Sequence, residues 1–237
     1  MRQHRIVGFT SFVLAVGFST LAVPASGAVI PFSVRGVSAE SAQITNLAKA
    51  QDLLDGKIQS HSDITAVFDV LNFNLSGANA NGTPDFPATS PGYQTNFAEE
   101  ATAWLRIPTA GAYTFAVSYD DGYRLSITGN TAQSTGQGHV KTDFLPMTFA
   151  QPGDYSVDLV YFQHLGSAQL QFFATPGTYS SFTDSGASFR LVNDVSNGGL
   201  ALVSGPGAQP SAVIPEPSSL MSLGVAALGL LGRRRFA

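Results

Sequence analysis

The chain has 237 residues and a formal net charge of −4, with 44% hydrophobic and only 12% charged residues. This length suggests one domain or at most two. The charged share is well below the usual value of about 25%, which excludes a disordered acidic chain. The absence of cysteine excludes a disulfide scaffold, a thiol nucleophile and a zinc site built on thiolates. The four histidines are far apart in sequence and form no metal-hydrolase motif.

The first 28 residues are typical of a secretory signal peptide. Arg2 and Arg5 form the basic start, residues 7–23 are apolar, and residues 26–28 offer a small-residue cleavage site. A membrane anchor is the weaker alternative, because the apolar stretch is short for a bilayer span. We therefore expect an exported protein whose mature part begins after residue 28.

Residues 38–54 have the periodicity of a short N-terminal helix. Its apolar residues can share one face: Ile44, Leu47, Ala48 and Leu54. Ser38 or Ser41 can cap the start, and Gly56 can end the helix. Residues 72–94 are rich in Gly, Pro, Asn and Ser, which predicts a long loop.

From residue 103 onward the period of the apolar residues changes to two, as in β-strands with one buried face. The alternating sets are Ala103, Leu105 and Ile107; Tyr113, Phe115, Val117 and Tyr119; Tyr123, Leu125 and Ile127; Tyr155, Val157, Leu159 and Tyr161; Ala168, Leu170 and Phe172; and Phe189 with Leu191. Glycines separate these sets. Short alternating strands with glycine turns predict an all-β fold, an antiparallel sandwich or barrel.

The folded region is expected to span residues 29–195. Residues 196–212 hold four glycines, two prolines and no charge, which predicts a flexible linker that we assign to residues 196–214. The sorting tail described next occupies residues 215–237.

The C-terminal tail has three parts in a fixed order. Pro215, Glu216 and Pro217 come first, residues 218–232 are apolar, and the arginine cluster follows at Arg233, Arg234 and Arg235. The apolar run is marginal for a span, but the arginines would keep its end in the cytoplasm, so the tail can anchor the chain in the inner membrane for a time. A permanent tail anchor is the alternative.

This order of motif, span and basic cluster resembles the PEP-CTERM sorting signal. The resemblance implies recognition by an exosortase-type membrane peptidase, removal of the tail, and release to the cell surface or extracellular matrix. It also implies a Gram-negative bacterium that makes exopolysaccharide.

The mature chain is distinctly acidic. Removal of the signal peptide and the tail takes away five of the 12 basic and one of the 16 acidic residues, which leaves 7 and 15 and a formal net charge of −8. Phosphate binding needs a basic patch, so a nucleic-acid partner is not expected. Divalent cations and neutral sugars are better candidates.

Asp120, Asp121 and Gly122 lie between two of the clearest strands and allow two interpretations. Asp-Gly between alternating apolar residues is a common hairpin signal, with the aspartates facing water. The other interpretation is a calcium site, since Ca²⁺ prefers carboxylate and carbonyl oxygens. Neighbouring residues of an extended chain point to opposite faces, so a shared ion would require a cis peptide to bring both carboxylates to one side.

Residues 103–175 resemble the PA14 domain. The matching pieces are Trp-Leu-Arg-Ile-Pro at 104–108, Gly-Ala-Tyr-Thr-Phe at 111–115, Ser-Tyr-Asp-Asp-Gly-Tyr-Arg-Leu at 118–125, Pro-Gly-Asp-Tyr at 152–155, Val-Tyr-Phe-Gln at 160–163 and Gly-Ser-Ala-Gln-Leu at 166–170. The likeness covers about half of the mature chain strongly and reaches back weakly over Phe86 and Phe97. It implies a PA14-like antiparallel β-sandwich.

In the lectin members of this family, two consecutive aspartates joined by a cis peptide bind Ca²⁺, and the ion coordinates hydroxyls of a terminal sugar. Those aspartates correspond to Asp120 and Asp121. The resemblance also implies Gln163 as a metal ligand, in a position where fungal adhesins commonly have asparagine. The carbohydrate would contact Asp120, Asp121 and Gln163 together with Tyr123 and His164.

Other groups carry weaker functional signals. Trp104 and Tyr161 are expected to pack in the core, whereas Tyr123 beside the aspartates is the better stacking platform, although its alternation with Leu125 also fits a core position. Glu99 and Glu100 are expected in a solvated turn, because a glycosidase needs two carboxylates on either side of a sugar bond. We therefore do not expect an enzyme.

The sequence thus predicts an exported cell-surface or matrix protein that binds polysaccharide or another glycan through a calcium-dependent PA14-like site. The alternative is a structural or protein-interaction component of the exopolysaccharide matrix that binds no ligand.

Overall fold

A computed structural model describes residues 29–74, 86–87, 95–134 and 139–206 of the chain. The elements follow in the order β1 (Phe32–Ala39), α1 (Leu47–Leu54), β2 (Ser60–Phe68), β3 (Asn72–Asn74), β4 (Phe97–Ile107), β5 (Gly111–Asp120), β6 (Gly122–Ile127), β7 (Asn130–Ser134), β8 (Lys141–Phe149), β9 (Gly153–Gln163), β10 (Gln169–Pro176), β11 (Arg190–Leu191), a 3₁₀ helix (Val195–Asn197) and β12 (Leu202–Val203).

Two antiparallel sheets form a β-sandwich, as the sequence predicts. The seven-stranded sheet has the order β2-β1-β4-β9-β6-β7, with β12 also paired to β4. The five-stranded sheet has the order β11-β10-β5-β8, with β3 paired to β10. The predicted alternating sets on β4, β5, β6, β9 and β10 direct their apolar members between the sheets. The set of Phe189 and Leu191 does not: Leu191 on β11 pairs with Phe173 and lies outside the core, and the Phe189 ring contacts Phe144 and Phe182.

The space between the sheets holds the main core, which is rich in aromatic rings. Phe73, Phe86, Phe97 and Tyr161 form a chain of contacts, with ring centroids 4.9 Å apart for the first pair and 5.2 Å from Phe86 to each of the other two. Full burial of a large apolar side chain contributes about 1.5–3 kcal/mol. This packing therefore holds the two sheets, and the loops at their ends, in a rigid arrangement.

The N-terminal helix is shorter than predicted. Helix α1 begins after Asn46, whose Oδ1 accepts a hydrogen bond from the backbone N–H of Lys49, so neither Ser38 nor Ser41 is its cap. Ser38 belongs to β1, where backbone pairing with β2 and β4 outweighs the local helical pattern. The helix covers part of the outer face of the seven-stranded sheet with four buried residues: Leu47, Ala50, Leu53 and Leu54.

Two segments predicted to lack regular structure contribute strands. Asn72–Asn74, at the start of the predicted loop, pairs with β10, and Phe86 from that loop is buried in the core. The predicted linker from residue 196 includes β12, because Leu202 is buried and its backbone N–H bonds to the side chain of Asn193. The linker prediction is therefore wrong for the part up to Val203.

The signal peptide and the sorting tail lie outside the described residues. Within the described ranges, no helix has the length and apolar character needed to cross a membrane. The division of the chain into four segments, with residues 29–195 as the folded region, remains a prediction apart from the correction at β12.

Candidate metal and glycan site

Asp120-Asp121-Gly122 is the point where the chain crosses from one sheet to the other. Asp120 ends β5 in the five-stranded sheet, and Gly122 begins β6 in the seven-stranded sheet. Strands β5 and β6 pair with other strands and not with each other, so the hairpin interpretation is wrong. The peptide bond between Asp120 and Asp121 is cis, in agreement with the expectation from the PA14 resemblance.

Only glycine fits immediately after the two aspartates. A Cβ atom on Gly122 would lie 2.5 Å from Cε1 of Phe162 and 2.8 Å from the carbonyl oxygen of Ser134. These distances are well below ordinary contact, and the ring and backbone have packed neighbours that limit their movement. The close approach of β6 to β9 at this point therefore depends on the missing side chain.

Asp120 is a buried carboxylate with one oxygen that has no hydrogen-bond partner. Its side chain is 7% exposed, and Oδ1 is fully buried with no donor among the described residues. The backbone of the residue is held firmly, since its carbonyl accepts a hydrogen bond from the hydroxyl of Tyr161 and β5 pairs here with Gln169. Buried carboxylates normally have partners, so this oxygen points to a ligand.

The electrostatic environment of Asp120 disfavours its charge. Burial raises the pKa of this carboxyl, and the neighbouring charge of Asp121 and a hydrogen bond with its carboxyl raise the pKa further, while His139 opposes the shift. A carboxyl group whose pKa is raised by burial and by a neighbouring carboxylate is a frequent feature of functional sites. A bound cation would reverse this balance.

Asp121 connects the crossing to the loop between β9 and β10. Its Oδ2 accepts a hydrogen bond from the backbone N–H of His164 at 2.7 Å. The carbonyl of His164 in turn accepts a bond from the backbone of Asn96. The pair of aspartates and the loop are therefore parts of one hydrogen-bonded unit.

Gln163 supports this loop from inside the protein. It is fully buried, its Nε2 donates to the carbonyls of Leu165 and Ser167, both at 2.9 Å, and its Oε1 accepts from the hydroxyl of Tyr161 at 3.0 Å. Because Gln163 is fully buried and does not line the cavity beside Asp120, it does not contact a sugar in this structure, and its role as a metal ligand stays a prediction. The longer glutamine side chain folds back under the loop and shapes it.

Beside Asp120 lies a cavity of about 350 Å³. Its walls come from four separate segments of the chain and consist of Asn74, Asp120, His139, Val140, Leu165, Gly166, Ser167, Ala168 and Gln169. The sequence gives no signal for Asn74, His139 or Gln169, since they are distant in the chain from the aspartates. The imidazole of His164, a predicted sugar contact, is not part of these walls.

Tyr123 is not a stacking platform. It is fully buried, and its hydroxyl donates to Asp143 Oδ2 at 3.0 Å, next to a second bond to that oxygen from Tyr119. The two tyrosine rings pack with centroids 4.7 Å apart. The alternation with Leu125 was the stronger signal, because every second residue of β6 points into the core.

Glu99 is also buried, which contradicts its expected position in a solvated turn. It is the third residue of β4 and lies opposite Tyr161, and its charge contributes, after burial, to the raised pKa of that phenol. Glu100, the next residue, points to the opposite face of the sheet. The two carboxylates therefore do not form a pair.

The donor set suits a hard cation in part. Asp120 and Asp121 supply adjacent carboxylates, one with an oxygen that has no partner among the described residues. The loop at residues 165–169 borders the cavity, where the carbonyls of Leu165 and Ser167 already accept hydrogen bonds from Gln163. No group of three or more His, Cys, Asp or Glu side chains with metal-binding geometry occurs in the described ranges. A metal here would therefore rely on two carboxylates and uncharged oxygens.

Comparison with known families identifies two segments. Residues 79–185 match the PA14 domain, and residues 213–235 match the PEP-CTERM protein-sorting motif. The second motif indicates export and sorting to the cell envelope. A search of curated proteins finds no match.

Solved structures with a similar fold include the PA14 domain of the MpAFP antifreeze protein, with 20% identity, a TM-score of 0.52, and coverage of 72% of this chain and 89% of that one. A PA14 sugar-binding domain from an RTX adhesin has 20% identity, a TM-score of 0.48, and coverage of 69% and 95%. The epithelial adhesin 9 A domain of Candida glabrata, solved with Galβ1-4GlcNAc, has 10% identity, a TM-score of 0.44, and coverage of 71% and 92%. At this identity, the first likeness supports the fold alone. The sequence match and the β-sandwich together show a PA14-like domain that includes residues 79–185, followed by a match to the PEP-CTERM sorting motif at residues 213–235.

Proposed function

We propose that the exported protein binds carbohydrate through a Ca²⁺ ion held by Asp120 and Asp121. The observation that carries this proposal is the buried Oδ1 of Asp120, which has no donor among the described residues and belongs to a side chain that lines the cavity. A cation is the partner that best compensates a buried carboxylate in contact with a second carboxylate.

The surrounding groups have complementary roles. Asp120 and Asp121 would hold the ion beside the loop at residues 165–169, which borders the cavity and is kept in shape by Gln163. When bound, Ca²⁺ would supply coordination positions for sugar hydroxyls, since it takes six to eight oxygen ligands. Asn74, His139 and Gln169 then offer hydrogen-bonding groups at the cavity wall for the remaining sugar hydroxyls.

Gln163 and His164 act indirectly in this proposal. Gln163 shapes the loop, and the backbone of His164 orients Asp121. We infer binding and not hydrolysis, because hydrolysis needs two carboxylates on opposite sides of a glycosidic bond. Asp120 and Asp121 are adjacent and share a hydrogen bond.

A structural role in the matrix is favoured by one separate observation. Strand β2 is an edge of the seven-stranded sheet, and it exposes Ile64 and Val67 by 43% and 66%. Edge strands with exposed apolar residues tend to pair with other chains. Self-association that does not depend on Ca²⁺ would support this second role.

Titration of the purified protein with Ca²⁺, by calorimetry and by thermal unfolding, tests the metal site. Extracellular calcium modules have Kd values of about 10⁻⁴ to 10⁻³ M. A tenfold excess over Kd stabilises the native state by about 1.4 kcal/mol, which raises Tm by about 3–6 °C. Asp120→Asn should abolish the rise, whereas Asp69→Asn, the same charge change at an exposed position, should retain it.

The stability of Asp120→Asn without calcium provides a second test of the metal site. Because Asp120 is buried beside another carboxyl, Asp120→Asn should be at least as stable as the wild type in EDTA. Loss of the calcium response in a folded Asp120→Asn protein supports the site. A wild-type protein that shows no heat of binding and no change in Tm on addition of Ca²⁺ would contradict the metal site. Glycan binding is tested separately, by retention on a polysaccharide column that occurs only when calcium is present.

We also propose that the tail is removed by an exosortase-type peptidase at the inner membrane. The support is the PEP-CTERM match at residues 213–235. Expression in the native host should yield surface protein that lacks an epitope placed after Ala237. Surface protein that keeps this epitope would instead indicate a permanent anchor.

A further inference from the structure

A second cleft, of about 470 Å³, opens on the outer face of the seven-stranded sheet and shares no residue with the cavity at Asp120. It lies where two strands meet end to end alongside β4. Strand β1 pairs with β4 as far as Thr102, and β12 pairs with β4 from Trp104 onward. Residues 30–31 and 203–204 form opposite walls, and β4 with β9 forms the floor.

Trp104, the single tryptophan of the chain, lines this cleft. The sequence predicts that it packs in the core, and that prediction is wrong. Residues 101, 103, 105 and 107 of β4 point between the sheets, so Trp104 points outward, and it belongs to neither apolar cluster. An indole that is half-exposed offers a flat apolar surface together with an N–H donor.

A row of polar side chains crosses the sheet beside Trp104. Ser33 on β1, Thr102 on β4 and Asp158 on β9 are direct neighbours in the strand register. Ser156 is the register partner of Trp104 itself. The cleft therefore combines one aromatic platform with hydroxyl and carboxylate groups along one side.

Asp158 supplies the strongest sign of a ligand. Its side chain lines the cleft, and its Oδ1 is buried with no hydrogen-bond partner among the described residues. A carboxylate oxygen in this position can accept hydrogen bonds from ligand hydroxyls. Glu100 lies on the same face, close enough that the charge of Asp158 contributes to its raised pKa.

We propose that this cleft is a second carbohydrate-binding site, which takes a segment of a neutral oligosaccharide without a metal ion. One pyranose ring stacks on Trp104, and its hydroxyls donate to Asp158. The carboxylates of Asp158 and Glu100 disfavour an anionic sugar, and the volume lies within the usual range of ligand pockets, about 300–1,000 Å³. This proposal does not rest on the calcium site.

Two independent glycan sites on one sandwich would have a functional consequence. A chain that contacts a polysaccharide at two points gains avidity by effective concentration, without any new contact. It can also bridge two strands of the polymer. Either effect suits a protein that is sorted to the cell envelope.

Because Trp104 is the single tryptophan, its fluorescence reports on this cleft alone. We would titrate the protein in EDTA with cellohexaose, laminarihexaose, maltoheptaose and xylohexaose, and with a hexauronate as the anionic comparison. We expect a saturable change in emission with at least one neutral sugar. No change with any of the four, or equal binding of the hexauronate, would overturn the proposal.

Variants separate this site from the one at Asp120. By calorimetry with the sugar that responds, Trp104→Ala and Asp158→Asn should each weaken binding about tenfold or more, as expected for a central aromatic anchor and its polar partner. Phe182→Ala removes an aromatic ring that is 43% exposed elsewhere and should bind like the wild type.

Two further results would overturn the proposal. One is unchanged affinity in a Trp104→Ala protein whose thermal unfolding is normal. The other is loss of binding in Asp120→Asn, which would assign the sugar to the calcium site. Trp104→Phe should restore part of the affinity lost in Trp104→Ala, because stacking needs an aromatic face and not indole in particular.

Discussion

Asp121 accepts a hydrogen bond from the backbone N–H of His164 at 2.7 Å, and this bond ties the crossing between the two sheets to the loop after β9. Asp120, one residue earlier, borders the cavity that this loop encloses. The position of the two carboxylates and the shape of the loop therefore depend on each other. A change in either should affect both stability and ligand binding.

Gln163→Ala tests the support of the loop. The variant loses two donors to loop carbonyls and the acceptor of the Tyr161 hydroxyl. At about 0.5–1.5 kcal/mol for each bond, the free energy of unfolding should fall by about 1.5–4.5 kcal/mol. Urea unfolding measures this change, and calcium affinity should fall as well. Gln171→Ala, in a half-exposed position, is the control. A small effect equal to that of the control would show that the loop holds its shape without Gln163.

Gly122→Ala tests the close approach of β6 to β9. The added methyl group would meet the Phe162 ring and the Ser134 carbonyl, so we expect a loss of about 1–3 kcal/mol in the free energy of unfolding. Gly205→Ala, with open space around its Cβ position, should leave stability unchanged. Equal unfolding curves for the two variants would be inconsistent with the packing described here.

Tyr123→Phe distinguishes a core residue from a sugar platform. Removal of the hydroxyl bonded to Asp143 should lower the free energy of unfolding by about 0.5–1.5 kcal/mol and leave glycan binding unchanged. The exposed hydroxyl of Tyr155 makes Tyr155→Phe the matched control, with a smaller expected loss. Weakened glycan binding in a stable Tyr123→Phe protein would show that Tyr123 takes part in glycan binding.

Asp184→Asn tests a pH effect on stability. The carboxylate accepts hydrogen bonds from Ser180 and Ser181, which lowers the pKa of Asp184 to about 2 from an ordinary value near 3.8. Its contribution to stability is therefore complete above about pH 4 and is lost as the pH falls towards 2. Wild-type Tm should decrease over this interval more steeply than that of Asp184→Asn. If Tm falls equally with pH in the wild type and in Asp184→Asn, the lowered pKa of Asp184 is contradicted. Asp69→Asn is the control for the loss of one negative charge.

The sequence predicts the sandwich well where alternation is strong. On β5 from Tyr113 to Tyr119 and on β9 from Tyr155 to Tyr161, every second residue is apolar or aromatic and points inward, so the period of two identifies each strand. Strand β2 was missed because it is an edge strand with little burial, and its sequence carries almost no periodic signal. Strand β1 was missed because both of its faces are partly buried, one under α1, so polar alternation is weak.

The sequence alone determined which segment carries the site, because Asp120-Asp121-Gly122 and its flanking strands resemble PA14 domains closely. Only the tertiary structure decided what surrounds it. The crossing between sheets, the inward turn of Gln163 and the burial of Tyr123 all depend on strands that are distant in the chain. The cleft at Trp104 likewise depends on segments that are distant in the chain. Its walls come from both ends of the described residues and are brought together by the pairing of β1 and β12 with β4.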